Sequence, residues 1–137
     1  MGSDKGLLKR ALSSSHNGKL IIDKAGEIVF ANEKARKVLG LAGEKILRRF
    51  YNDSEWGIAD QNGEPFPDEK LPFARVMRTG EMVHGFVQSI CRPDGSRVYV
   101  SVNGTPVFDE MGNVSGGIFD FKKIKDEGSA FEDGDKK

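Results

Sequence analysis

The chain has 137 residues, 37% of them hydrophobic and 31% charged, enough for one domain with a single core and too few to suggest two. Its 21 basic and 21 acidic side chains cancel, so no net field draws it to nucleic acid or to an anionic membrane. One cysteine excludes an internal disulfide and a multi-cysteine zinc site, and no apolar run approaches the roughly 20 residues that span a bilayer. The first residues lack the long apolar centre of a secretory signal, so a reducing, cytoplasmic setting is the simplest expectation.

Residues 4 to about 15 read as a helix, with Leu7, Leu8, Ala11 and Leu12 gathered on one side. That stripe is narrow for a core helix. It packs on the domain, pairs with a second copy, or continues an upstream helix. Next, KLIID and EIVFA are short β-rich runs around Lys24-Ala25-Gly26, a hairpin signature. Asn32 stands where an N-cap belongs, before EKARKVLG, whose buried face is Ala35, Val38 and Leu39 and whose C-terminal stop is Gly40. Residues 41–62 are the least regular: AGEKILRRF is compatible with one short helix, and SEWGIADQNG looks extended, closing on an Asn-Gly turn.

The stretch PFPDEKLPFARVMRTGEMVHG is the most punctuated of the chain. The residue before a proline avoids helical geometry while proline suits the first helical position, so a helix is predicted from Pro72, with Leu71 just outside. It ends near Thr79, with Gly80 as a left-handed cap, and Asp68 and Glu69 lie near its positive end. Phe73, Val76 and Met77 share a face, and Arg75 and Arg78 lie away from it.

Strands follow as GFVQSICR, then RVYVSVNGTPVF after the turn Pro93-Asp94-Gly95-Ser96, then VSGGIFDFKKI after Asp109-Glu110-Met111-Gly112-Asn113. In the middle strand Val98, Val100 and Val102 point one way and Tyr99, Ser101 and Asn103 the other. From Lys125 the chain is charged, with little to bury, and is expected to be disordered. Strand pairs joined by hairpins, with short helices between them, imply an α+β arrangement: an antiparallel sheet with its helices on one face.

Three words in this order, GEIVFANEKARKVLG, DQNGEPFPDEKLPFARVMRTGEMVHG and RPDGSRVYVSVNGTPVFDEMGNVSGGIF, resemble the PAS domain. That domain is the sensory module of many histidine kinases, diguanylate cyclases and transcription regulators. The resemblance covers roughly residues 5 to 125. It implies a PAS-like five-stranded antiparallel sheet with short helices packed on one face and an N-terminal helix, laid out as a flank over 1–16, the domain over 17–124 and a charged tail or linker over 125–137. In the family the sheet cups a cavity that holds haem, flavin, a small metabolite or only packed side chains, and the signal commonly leaves through helices at the two ends, often in a dimer. Many members end in an Asp-Ile-Thr element; the corresponding place here is Lys123-Ile124-Lys125, which keeps only the isoleucine.

Flavin-thiol photochemistry needs an Asn-Cys-Arg-Phe-Leu type motif on a helix, whereas Cys91 falls in a strand before Arg92-Pro93 and reads as a small packed residue. For haem, His16 lies in a polar turn and His84 at the start of a strand, neither spaced as a metal motif. The carboxylates Asp60, Asp68, Glu69 and Glu81 occupy turns and helix ends, and no nucleophile triad, phosphate loop or zinc-protease word appears, so the domain is read as non-enzymatic.

A non-covalent pocket remains. Its candidate wall is Phe50, Trp56, Leu71, Phe73, Val76 and Met77 from the helical side, facing Phe86, Ile90, Val100 and Val102 from the sheet. Arg75, Gln88, Tyr99, Ser101 and Asn103 are the candidate polar contacts, and strand parity turns on a single residue of register. Trp56 stands out, because a large ring amid polar sequence needs somewhere to pack. Each of these residues alone is also explained by core packing. The expectation is a sensory domain of a larger signalling protein, homodimeric through the Leu7, Leu8, Ala11 and Leu12 stripe, with no nucleic-acid or membrane contact. Its ligand is an unidentified small molecule or partner. A ligand-free interaction and dimerisation module is the alternative.

Overall fold

The computed structural model describes residues 16–43 and 45–126. The predicted N-terminal helix with Leu7, Leu8, Ala11 and Leu12, and the tail from residue 127, lie outside the described residues.

Strands β1 (Gly18–Asp23) and β2 (Ile28–Ala31) form the first hairpin. The Asp23 carboxylate accepts the amides of Ala25 and Glu27 at 3.0 Å each, and Gly26 takes φ +92°, which is why Lys-Ala-Gly makes the turn. Helix α1 (Glu33–Leu39) opens on Asn32, whose side chain accepts the Ala35 amide, and closes on Gly40 at φ 72°. Helix α2 (Pro72–Thr79) has the bounds read from its prolines and glycine. Strands β3 (Val83–Cys91), β4 (Arg97–Phe108) and β5 (Val114–Asp126) complete a five-stranded antiparallel sheet of order β2-β1-β5-β4-β3.

Strand periodicity sorts the two faces of this sheet. Val98 and Val100 are fully buried and Val102 nearly so, beneath the helices. Tyr99, Ser101 and Asn103 occupy the other, half-buried face, where Asn103 Nδ2 donates to Asp120 and Lys125 Nζ lies 5.0 Å from the Tyr99 ring centre. Both sheet edges are covered by irregular chain. Ile28 N–H on β2 donates to Arg49 O at 2.8 Å, and Ser89 N–H on β3 donates to Ala59 O at 2.8 Å.

Three sequence expectations are corrected. AGEKILRRF is not a helix: its described residues form turns, with Arg48 at a left-handed φ of 74° and Ile46 fully buried. A continuing helix would carry away Arg49, whose carbonyl accepts the Ile28 amide of β2, and Phe50, which bridges the adjacent Glu27. SEWGIADQNG is extended only near Ala59, because Ser54–Trp56 winds into a 3₁₀ turn that buries the indole. Order also persists past Ile124: β5 includes Lys125 and Asp126, since the Arg92 guanidinium holds Asp126 at 2.8 Å.

Candidate functional site

Between the buried face of the sheet and the helical layer lies an apolar cavity of about 80 Å³. Its roof is set by α2. Leu71 is held extended (ψ 150°) before Pro72, and the Gly80 amide returns to Val76 O at 2.8 Å, so the eight-residue helix begins and ends where it covers the sheet. Leu71 and Phe73 turn into the cavity. The Phe73 ring sits 4.5 Å from Tyr51 and 6.1 Å from Phe119, joining the irregular segment, the helix and β5 through aromatic contacts.

Trp56 forms a side wall. Its indole N–H is consumed by Phe50 O at 2.8 Å, and the Arg49 guanidinium lies 5.5 Å from the ring, so Trp56 offers the cavity only carbon. Arg97 pins this turn to the sheet by donating to Gly57 O at 2.7 Å and to Ser89 Oγ at 2.9 Å. The floor is made by Phe119 and Phe121 on β5, with Val100 and Val102 on β4. Glycines make room for the rings: a methyl group at Gly104 or at Gly117 would stand 2.7 Å from Phe119, and one at Gly18 would stand 2.6 Å from Phe121.

Two lining residues present polar ends. The Tyr51 phenol titrates above its ordinary value, first because it is partly buried and then because the Asp68 carboxylate repels the phenolate. Gln88 projects from the buried face of β3 opposite Val100, is 7% exposed, and its Oε1 meets no hydrogen-bond donor among the described residues.

Of the residues singled out from sequence, Trp56, Leu71, Phe73, Ile90, Val100 and Val102 line this cavity, as does Gln88 from among the candidate polar contacts. Val76 is fully buried but packs toward Gly104, and Met77 is a half-buried neighbour of the core. Phe86 lies outside the cavity. Its ring meets Phe66 at 4.9 Å beneath the Arg75 guanidinium and borders a shallow surface hollow with Glu69, Lys70 and Arg78. Phe50 is 44% exposed and contributes its carbonyl rather than its ring. Tyr99 and Asn103, with Ser101, are on the opposite face of the sheet and do not reach the cavity, the result of strand parity. Sequence reasoning missed Leu20 and Ile22 on β1, Phe119 and Phe121 on β5, and Tyr51. The alternation Gly117, Phe119, Phe121 was the available signal for β5.

His16 and His84 are exposed, and the Cys91 thiol points to Arg92 O at 3.6 Å; none of them lines the cavity. Among the described residues no three His, Cys, Asp or Glu side chains are grouped to hold a metal ion.

The sheet order, the helical cover and the cavity between them agree with a family-level match: the sequence model described as PAS fold aligns with residues 6–124. The chain belongs to the PAS family. Among solved structures, this PAS domain is similar to the PAS domain of a Colwellia psychrerythraea protein, at 13% identity and TM-score 0.68 over 88% of this chain and 97% of that one. It is similar to the PAS domain of nitrogen regulation protein NR(II) from Vibrio parahaemolyticus, at 16% identity and TM-score 0.63 over 86% and 98%. It is also similar to phage VqmA in the VqmA–DPO complex, at 16% identity and TM-score 0.64 over 90% of this chain and 54% of that one. Identities this low speak for the shared fold alone. No curated protein matches the chain in sequence.

Proposed function

We propose that this PAS domain is a sensory module that takes a small molecule into the cavity beneath α2 and passes a conformational signal to an output domain outside the chain. The observation that carries the reading is the cavity itself: helical and sheet residues face each other across apolar space, so an occupant touches both layers at once. Such an occupant would favour one arrangement of the helices over the sheet and shift the population toward it. Two features give the shift a route. Phe119 and Phe121 sit on the strand that leads to the C-terminal end, and Gly18 pairs with Phe121, so the chain before β1 and the chain after β5 leave from the same end of adjacent strands. The Leu7, Leu8, Ala11 and Leu12 stripe would join two such ends in a homodimer. VqmA, a structural relative, was solved with DPO bound. The reading assigns the domain no reaction of its own, and it suits a cytoplasmic protein.

Native mass spectrometry of freshly purified protein tests this. A retained small molecule, released on denaturation, is the expected result. A bare chain that binds nothing and does not change on association would overturn the sensing role. A second reading has one observation in its favour: the cavity is about 80 Å³, smaller than the roughly 150 Å³ apolar cavity that accepts benzene. A chamber of that size can be closed by its own side chains, leaving a ligand-free interaction module, and a bare dimer in the same spectrum would support it.

A further inference from the structure

The wall of the cavity is mostly hydrocarbon from both layers, and besides the Tyr51 phenol only Gln88 brings a polar end to it. It stands on the core face of β3, with Ile90 on the same face and Val100 directly across on β4, at a position where leucine or methionine would satisfy the packing. Its amide is buried to 7% exposure, lines the cavity, and leaves Oε1 without a donor among the described residues. The adjacent buried Ser89 shows the usual outcome: its hydroxyl donates to Ala59 O at 3.3 Å and accepts from Arg97 at 2.9 Å. A buried acceptor left open is costly to the fold.

We infer that the cavity selects an uncharged, compact molecule, apolar over most of its surface, that carries one N–H or O–H donor and gives it to Gln88 Oε1. This rests on the cavity being a ligand site. No Lys, Arg, Asp or Glu lines it, so an ion entering would lose its water without gaining a counter-charge. The volume of about 80 Å³ suits an occupant near the size of a five-membered ring.

Pyrrole and furan test the inference, being rings of nearly equal size of which only pyrrole has an N–H. Each is titrated into the ¹⁵N-labelled protein, with shifts followed at Gln88, Val100 and Phe119. The wild type should favour pyrrole by about ten-fold, the worth of one satisfied buried hydrogen bond. Gln88→Met, which keeps the length and loses the acceptor, should bring that preference below about two-fold. Equal binding of the two rings by the wild type, or an unchanged preference in Gln88→Met, overturns the donor requirement and leaves the cavity standing as a ligand site. If neither ring moves the cavity resonances of either protein, the ligand-site reading fails and the inference falls with it. A second readout needs no ligand. Removing a buried acceptor that has no donor should leave the melting temperature of Gln88→Met and Gln88→Leu equal to or a few degrees above the wild type, on the order of 2–6 °C. A clear fall in both variants means that the amide is already used by the fold, and overturns the inference.

Discussion

Asn32 shows how much of this domain hangs on single side chains. Its Oδ1 accepts the Ala35 amide at 2.9 Å, capping α1, and also the Lys19 amide on β1 at 2.9 Å, while Nδ2 donates to Asn17 O at 3.0 Å. The cap was legible, because asparagine directly before a periodic apolar run is a local signal. The tie to β1 was not, since nothing around Asn32 names a partner 13 residues away. Asn32→Ala should therefore cost more than a simple cap. Losing the cap costs about 1 kcal/mol, and stranding the Lys19 amide adds roughly 1–3 kcal/mol. Urea unfolding should show a lower midpoint with an unchanged slope, and Asn32→Asp, which keeps the acceptor, should fall between the variant and the wild type. A cost below about 0.5 kcal/mol would show that the cap and the strand tie are both dispensable.

At the scale of elements, the end of β5 is held by one arginine from the β3–β4 turn. Arg92 reaches Asp126 Oδ1 at 2.8 Å, Val38 O at the end of α1 at 3.3 Å, and Ser96 Oγ at 2.8 Å. A helix end and the last strand are thereby fastened to the same guanidinium, beside the place where many family members have Asp-Ile-Thr. Burial alone would raise the Asp126 carboxyl, but hydrogen bonds from Arg92 and Lys123 and the charges behind them outweigh it, and its pKa lies below the ordinary value. A carboxyl depressed in the fold stabilises above its unfolded pKa and loses that contribution as pH falls through the folded one. Wild-type stability should accordingly exceed that of Asp126→Asn at neutral pH, with the gap closing as pH drops below about 4. The Asp126 side chain is 38% exposed, so the gap at neutral pH should be under about 1 kcal/mol. Denaturation midpoints of the two proteins from pH 7 to pH 3 check this, and parallel curves would refute it.

On the scale of the whole molecule, the pairing of the first strand with the last joins the β1–β2 hairpin to β3, β4 and β5 in one sheet. β5 lies between β1 and β4, and β4 and β5 are its longest strands. Native-state hydrogen exchange should therefore be slowest in β1, β4 and β5 and fastest in the turns around Tyr51 and Trp56. Those turns hold the cavity wall with few ladder bonds, so the part of the molecule that touches an occupant is also the part that opens most readily. Uniform protection across the sheet and these turns would contradict this ordering.

The amino-acid order alone determined the pieces whose causes lie within a few residues of one another. Asn32 and Gly40 bound α1, Pro72 and Gly80 bound α2, and the alternation of Val98, Val100 and Val102 marks β4. These local signals, with the three family words, were enough for the fold and for less than half of the cavity wall. Tertiary structure decided the remainder. Residues 41–62 take their shape from bonds to β2 and β3 rather than from their own propensities, which is why a helix was expected where turns were found. The choice of residues that face the cavity turned on register. Side chains alternate along a strand, so one residue of slip exchanges Val100 for Tyr99, and register is fixed by partners as distant as Gly18 and Phe121. Gln88 stood beside Tyr99, Ser101 and Asn103 as a candidate polar contact, and only its pairing with Val100 set it apart on the cavity face.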